Sequence, residues 1–278
     1  GWAVRSCWAN STSTGGGVPA DRDVDGVVGT PGGDPAGPLA NGGAVGGKVD
    51  SQLGRVAREL ADHHGRPVVA RWSREDVVRW GPKRPPIAAG ARRDGTGVLR
   101  VARTAGIAGR IASVAPGLVV EEIEVAGPPT SAALRAAGWA EAAVLVAAAT
   151  GDDTIRSPEG AEASVEVSGS MLSVRVRCGQ VLDEVVLRSY CIGAVHMALG
   201  WVTSEGLAVD EDGSVTDLTI RSYGIVRPAE MPDVVVDVVG DDGPPVCGSD
   251  AVFAAAALAV WRHQALPGAW PTGVAFRP

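Results

Sequence analysis

Residues 42–48 read Gly42-Gly43-Ala44-Val45-Gly46-Gly47-Lys48, and a helical pattern starts directly behind them. A glycine-dense backbone can approach an anionic ligand with no Cβ in the way. A helix N-terminus behind it offers free N–H groups and the positive end of the dipole. The segment is therefore a phosphate- or pyrophosphate-holding loop or a tight turn. Gly42, Gly47 and Lys48 satisfy the G-x-x-x-x-G-K spacing of a nucleoside-triphosphate loop, but Val49 stands where the Mg²⁺-binding hydroxyl is required. The stretch before the loop, Gly29 to Pro38, is too rich in glycine and proline for the buried strand that such a loop needs. The triphosphate reading is set aside.

The text downstream carries a second reading. From Val49 to His64, Leu53, Val56, Ala57 and Leu60 share one helical face, with Arg55, Arg58, Glu59 and Asp62 opposite. Gly65 ends the helix, Arg66–Trp72 reads as a strand, and Ser73-Arg74-Glu75-Asp76 and Gly81-Pro82-Lys83-Arg84-Pro85-Pro86 follow. This order resembles the molybdenum-cofactor subunit of the xanthine dehydrogenase and aldehyde oxidase family, with its GGxFGGK loop, helix, "GRPV" and "TREE/SRED" segments. Later pieces agree. Cys178-Gly179-Gln180-Val181-Leu182-Asp183 resembles that family's "DCGRVINP", and Arg188 to Gly200 its "QVEGAxxQGLG" helix. Tyr223-Gly224-Ile225 with Glu230-Met231-Pro232 resembles "YxIPTxxDMP", and Pro244-Pro245-Val246 leads into an apolar helix as in "GEPPVxPVAPAIANAI".

The resemblance implies an α+β fold of two α/β units like the molybdopterin-binding domains of molybdenum hydroxylases. It implies that Gly42, Gly43, Gly46, Gly47 and Lys48, with Gly193 and Gly200 of the later helix, approach a molybdenum–molybdopterin cofactor. It implies as partners other subunits of such a complex, carrying molybdenum, iron–sulfur or flavin groups. The departures bear on activity. The family's general base is a Glu just before the Pro-Pro pair, and here that position is Gly243, preceded by Asp241 and Asp242. Val45 replaces the loop Phe, Tyr190 and Met197 replace the two helix Gln residues, and Ala126–Gly138 is a reduced form of the "AMRGFG" stretch. These losses imply a non-catalytic or accessory subunit. The alternative is a divergent hydroxylase of aldehydes or N-heterocycles with Asp242 as a makeshift base; Asp is one methylene shorter, and base catalysis depends first on geometry.

The chain of 278 residues is long enough for one large or two medium domains. Its organisation reads as a Gly/Pro-rich arm (1–41), a first unit (42–150) and a second unit (151–278). Net charge is −7 with both signs scattered, so no basic stripe points to nucleic acid. The apolar run Ala251–Trp261 is too short to span a bilayer, and no signal peptide is evident, so a cytoplasmic protein without membrane contact is expected. Cys7, Cys178, Cys191 and Cys247 lack C-x-x-C spacing; free thiols are expected, with no metal site and no iron–sulfur cluster or flavin on this chain.

Expected elements in the second unit are strands at 163–167, 171–177, 205–210, 215–224 and 234–239 and helices at 187–200 and 251–263, the last capped by Ser249 and Asp250. An Ala-rich helix is expected at 131–149. Cys247-Gly248-Ser249 is either a plain N-cap or a site for a reactive thiol or an anion. His63 and His64 suit a helix C-terminus, His196 a packed position, and the tryptophans core filler.

Overall fold

A computed structural model describes residues 2–6, 27–34, 53–70, 73–219 and 222–277. The elements in chain order are β1 (Trp2–Ser6), β2 (Val27–Gly29), α1 (Leu53–His64), β3 (Val68–Ala70), α2 (Arg74–Trp80), β4 (Ile87–Ala91), β5 (Gly97–Ala102), α3 (Ile107–Val114) and β6 (Leu118–Ile123). They continue with α4 (Trp139–Thr150), β7 (Thr154–Arg156), β8 (Glu162–Ser168), β9 (Met171–Arg177), α5 (Glu184–Thr203), β10 (Asp233–Val239), α6 (Gly248–His263) and β11 (Ala269–Trp270). The fold is α+β. One sheet has the order β11-β1-β4-β5-β6, a second β10-β9-β8-β7, and β2 pairs with β3.

Period-two patterning sets the second sheet. β9 buries Leu172, Val174 and Val176 and exposes Arg175 and Arg177. β10 lies parallel to it with Val236 opposite Val174. α6 packs on the inner face of β8 and β9 and against α4 and α5. Every residue from Ala251 to Trp261 is buried, as expected of a helix without a polar face. Its alanines let the neighbouring helices come close. Trp201 stacks on Phe253 with centroids 4.8 Å apart and meets Trp270 edge-on at 4.7 Å. Trp139 and Trp261 are buried core filler, whereas Trp80 is exposed.

The core also encloses charge. Arg84 Nε donates to Glu141 Oε1 at 2.7 Å and Nη2 donates to Oε2 at 3.0 Å. The same guanidinium donates to the carbonyls of Arg135 and Ala136 and lies 4.4 Å from the Trp201 ring centroid. Glu141 Oε2 accepts the Gly138 N–H at 2.9 Å, which anchors the start of α4. Lys83 is likewise buried; its ammonium donates to the Val77 and Gly81 carbonyls at the end of α2, and burial pulls its pKa down to about 8.

Several local expectations shift. Ser73-Arg74-Glu75-Asp76 starts α2 through a reciprocal cap: Ser73 Oγ accepts Asp76 N–H at 3.1 Å, and Asp76 Oδ2 accepts Ser73 N–H at 3.0 Å. The Ala-rich helix begins at Trp139 and not at Ser131, because Ala136 and Gly138 take positive φ. In place of strands at 205–210 and 215–224, the described residues show a single bridge, Val209 to Val215, across a turn held by Asp210. α6 starts at Gly248 with Cys247 as N-cap; Ser249 and Asp250 sit inside its first turn. Trp2–Ser6, expected as arm, is a strand in the first sheet. Among the described residues, α5 is by length and composition long and apolar enough to cross a membrane, and the second half of this helix is buried in the core.

Candidate functional site

Two loops and two helix starts converge on a cavity of about 360 Å³. β9 delivers Cys178, Gly179 and Gln180. Gly179 adopts φ 75°, and a Cβ on it would lie 2.1 Å from the Pro244 carbonyl oxygen. The loop after β10 closes on this turn: Gln180 N–H donates to Gly243 O at 2.9 Å, and Val246 N–H donates to Cys178 O at 3.0 Å. Asp241 ties both sides, accepting Gly243 N–H at 2.6 Å and Gly179 N–H at 3.3 Å. Gly179→Ala is therefore expected to destabilise the protein by about 1–3 kcal/mol from backbone strain and clash. A thermal melt unchanged from the parent would refute that close approach.

The cavity walls combine apolar side chains, including Val181, Leu182, Val186, Leu187 and Val246, with two helix N-termini. At α5, Asp183 caps the helix by accepting Val186 N–H at 3.0 Å. At α6, Cys247 makes no side-chain capping bond, so backbone N–H groups with positive dipole character remain for another acceptor. Arg135, buried behind this end, donates to Ser249 Oγ at 3.2 Å and to Met197 Sδ at 3.6 Å. Its Nε lies 3.1 Å from Asp250 Oδ1. The distance makes an ion pair, but neither atom has an aligned hydrogen bond, so the attraction is coulombic. Burial raises the Asp250 pKa against the lowering effect of Arg135. Burial, then Asp241 and Cys247, raise that of Cys178.

Gly42, Gly43, Gly46, Gly47 and Lys48 lie outside the described residues. Asp242 is exposed and does not line the cavity; Asp241 is the carboxylate engaged with the turn. Gly193 is exposed on α5, with nothing within 4 Å of where its Cβ would be. Gly200 faces the interior, where a Cβ would stand 2.3 Å from Glu205 Oε1. Sequence reasoning placed Arg135 in the reduced "AMRGFG" stretch without giving it a role, and missed the facing of Cys178 toward α6. His196 Nε2 lies 2.8 Å from Val226 O, the packed role expected for it.

Residues 135–232 match the family model of the molybdopterin cofactor-binding domain. The match covers Arg135, the Cys178–Gly179 turn and α5, so the class it defines for these residues is a molybdopterin cofactor-binding domain. No curated protein matches the chain. Among solved structures, the chain is similar to quinoline 2-oxidoreductase from Pseudomonas putida 86, at 12% identity and TM-score 0.33, covering 67% of this chain and 37% of that one. It is also similar to the Cu,Mo-CO dehydrogenase, at 11% identity and TM-score 0.31, covering 62% of this chain and 33% of that one. A reconstituted CO dehydrogenase from Oligotropha carboxidovorans gives the same figures, 11% and 0.31. The chain thus spans about a third of the length of these structures.

Proposed function

We propose that this chain is a non-catalytic or accessory molybdopterin-binding subunit of a xanthine dehydrogenase/aldehyde oxidase-type complex. The observation that carries the reading is the composition of the cavity wall. Its single carboxylate, Asp183, is committed to capping α5, the position before Pro244 is Gly243, and Asp242 faces solvent. No described carboxylate stands free at the cavity to take a proton.

The same wall suits the organic part of the cofactor. Apolar side chains offer a slot for a pterin ring, and the uncapped N–H groups of α6 offer donors to a phosphate. Gly193 leaves the backbone of α5 open on its exposed side, and the loop Gly42–Lys48 is assigned the same task by its sequence. Bound molybdenum cofactor supplies two-electron redox chemistry; the chain's own groups bind, orient and exclude water. The accessory role is further supported by the start of α5, where Leu182 is 80% and Val185 79% exposed beside Tyr190 and Ile192. An exposed apolar stretch of this kind marks a protein contact, here with another subunit of the complex.

The test loads the chain with molybdenum cofactor, measures retained pterin by fluorescence, and assays aldehydes and purines with an artificial electron acceptor. Retained pterin that falls at least tenfold in Val246→Asp, with no turnover, is expected. Turnover that vanishes in Asp242→Ala would instead establish the divergent hydroxylase, since a general base contributes about 10²–10⁴ in rate.

A further inference from the structure

Two thiols line the wall of one cavity. Cys178 ends β9 and Cys247 caps α6, and both face the cavity space. Val246, the residue before Cys247, donates its N–H to Cys178 O at 3.0 Å and brings the two segments together. A disulfide spans Cα separations of about 4.4–6.8 Å, so it needs the two segments in direct contact. Cys178 already faces α6: a Cβ built on Gly248, the residue after Cys247, would meet Cys178 Sγ at 3.1 Å and Cys178 Cβ at 3.0 Å. The absence of a side chain on Gly248 is what admits this sulfur to the first turn of α6. Exposure divides the roles. Cys247 is half-exposed, whereas Cys178 and Cys191 are buried. An oxidant in solvent therefore reaches Cys247 first, with Cys178 the neighbour able to resolve it.

We propose that Cys178 and Cys247 form a reversible disulfide that ties the end of β9 to the start of α6 across the cavity wall. The oxidant is a peroxide. Cys247 loses two electrons to hydrogen peroxide, giving a sulfenic acid and one water. The Cys178 sulfur then attacks the Cys247 sulfur; the S–S bond forms, the S–O bond breaks, and the hydroxyl leaves with the Cys178 proton as a second water. A dithiol reductant returns both thiols by exchange. The link fixes the same N–H groups of α6 that the cofactor reading employs, but the cross-link itself requires no cofactor.

The experiment treats the folded chain, free of molybdenum, with hydrogen peroxide, blocks remaining thiols with iodoacetamide, and maps tryptic peptides by mass spectrometry. Cleavage after Arg177 and Arg188 separates Cys178 from Cys191, so the partners are distinguishable. The expected product is one cross-linked pair, 178 with 247, two hydrogens lighter than the sum, abolished by dithiothreitol and still formed in Cys191→Ser. Cys247→Ser should remove it, and because the cross-link is first scored in the parent protein, misfolding of that variant does not decide the matter. Cys247 over-oxidised to sulfinic acid beside a free Cys178, or a link to Cys191 or Cys7 or between two chains, would overturn the proposal. Pterin retention is measured separately, so failure of the cross-link leaves the cofactor reading standing, and the reverse also holds.

Discussion

Arg84→Ala and Glu141→Ala will each cost the fold about 3–5 kcal/mol, the usual penalty for stranding one partner of a buried ion pair. Both side chains are only 2% exposed, and Arg84 serves four acceptors at once: two carboxylate oxygens and the carbonyls of Arg135 and Ala136. Removing Arg84 leaves a carboxylate in a core walled by Trp201 and Phe253 and frees the irregular segment that holds Arg135. Removing Glu141 leaves the guanidinium uncompensated and unties Gly138 from α4. The double replacement Arg84→Met with Glu141→Leu should lose less than the sum of the two, because no lone charge remains. Urea denaturation followed by circular dichroism measures all three. Single losses below about 1 kcal/mol would mean that the pair is not buried as described.

Stability should fall as pH rises from about 5 to 8, and Glu205 is the cause. This side chain closes the end of α5, packed on Gly200, and burial raises its pKa from 4.5 to about 8. The folded state therefore holds a proton that the unfolded chain releases. The stabilising contribution is complete below pH 4.5 and is lost as pH climbs through about 8. The slope approaches roughly 1.4 kcal/mol per pH unit inside that window. Lys83 acts in a different window. Its pKa is depressed from 10.5 to about 8, so its contribution grows only as pH rises above that value. Glu205→Gln should flatten the profile between pH 5 and 8 and stabilise the protein at the upper end. Parallel profiles for the parent and the variant would show that the carboxyl does not stay protonated in the fold.

Much of the second unit was legible because its signals are local. Alternation in Met171–Arg177 reports a sheet with one wet face, and the observed strand has those bounds. The apolar run 251–261 reports a helix enclosed on all sides. The order of short motifs pointed to molybdopterin, and residues 135–232, which hold only the middle ones, match a molybdopterin cofactor-binding domain. The region 205–224 misled because β-favouring residues there have no neighbouring strand to complete a ladder; among the described residues a single bridge forms. Ser249 and Asp250 misled for a related reason. Each is a good capping residue by type, but the buried Arg135 draws both into the first turn and leaves the cap to Cys247.

The sequence by itself determined the fold class, the resemblance to a molybdopterin-binding domain and the Gly that stands before Pro244, because periodicity, motif order and residue identity are written along the chain. Only the tertiary structure decided which carboxylate of the pair at 241 and 242 turns inward, that Gly200 makes room for Glu205, and that Cys178 faces the start of α6. It alone paired Arg84 with Glu141 across 57 positions. Those outcomes depend on which surfaces lose water together when β9, α5 and α6 close on one another, and on the distances between groups far apart in sequence. Residue order sets the candidates; packing and desolvation choose among them.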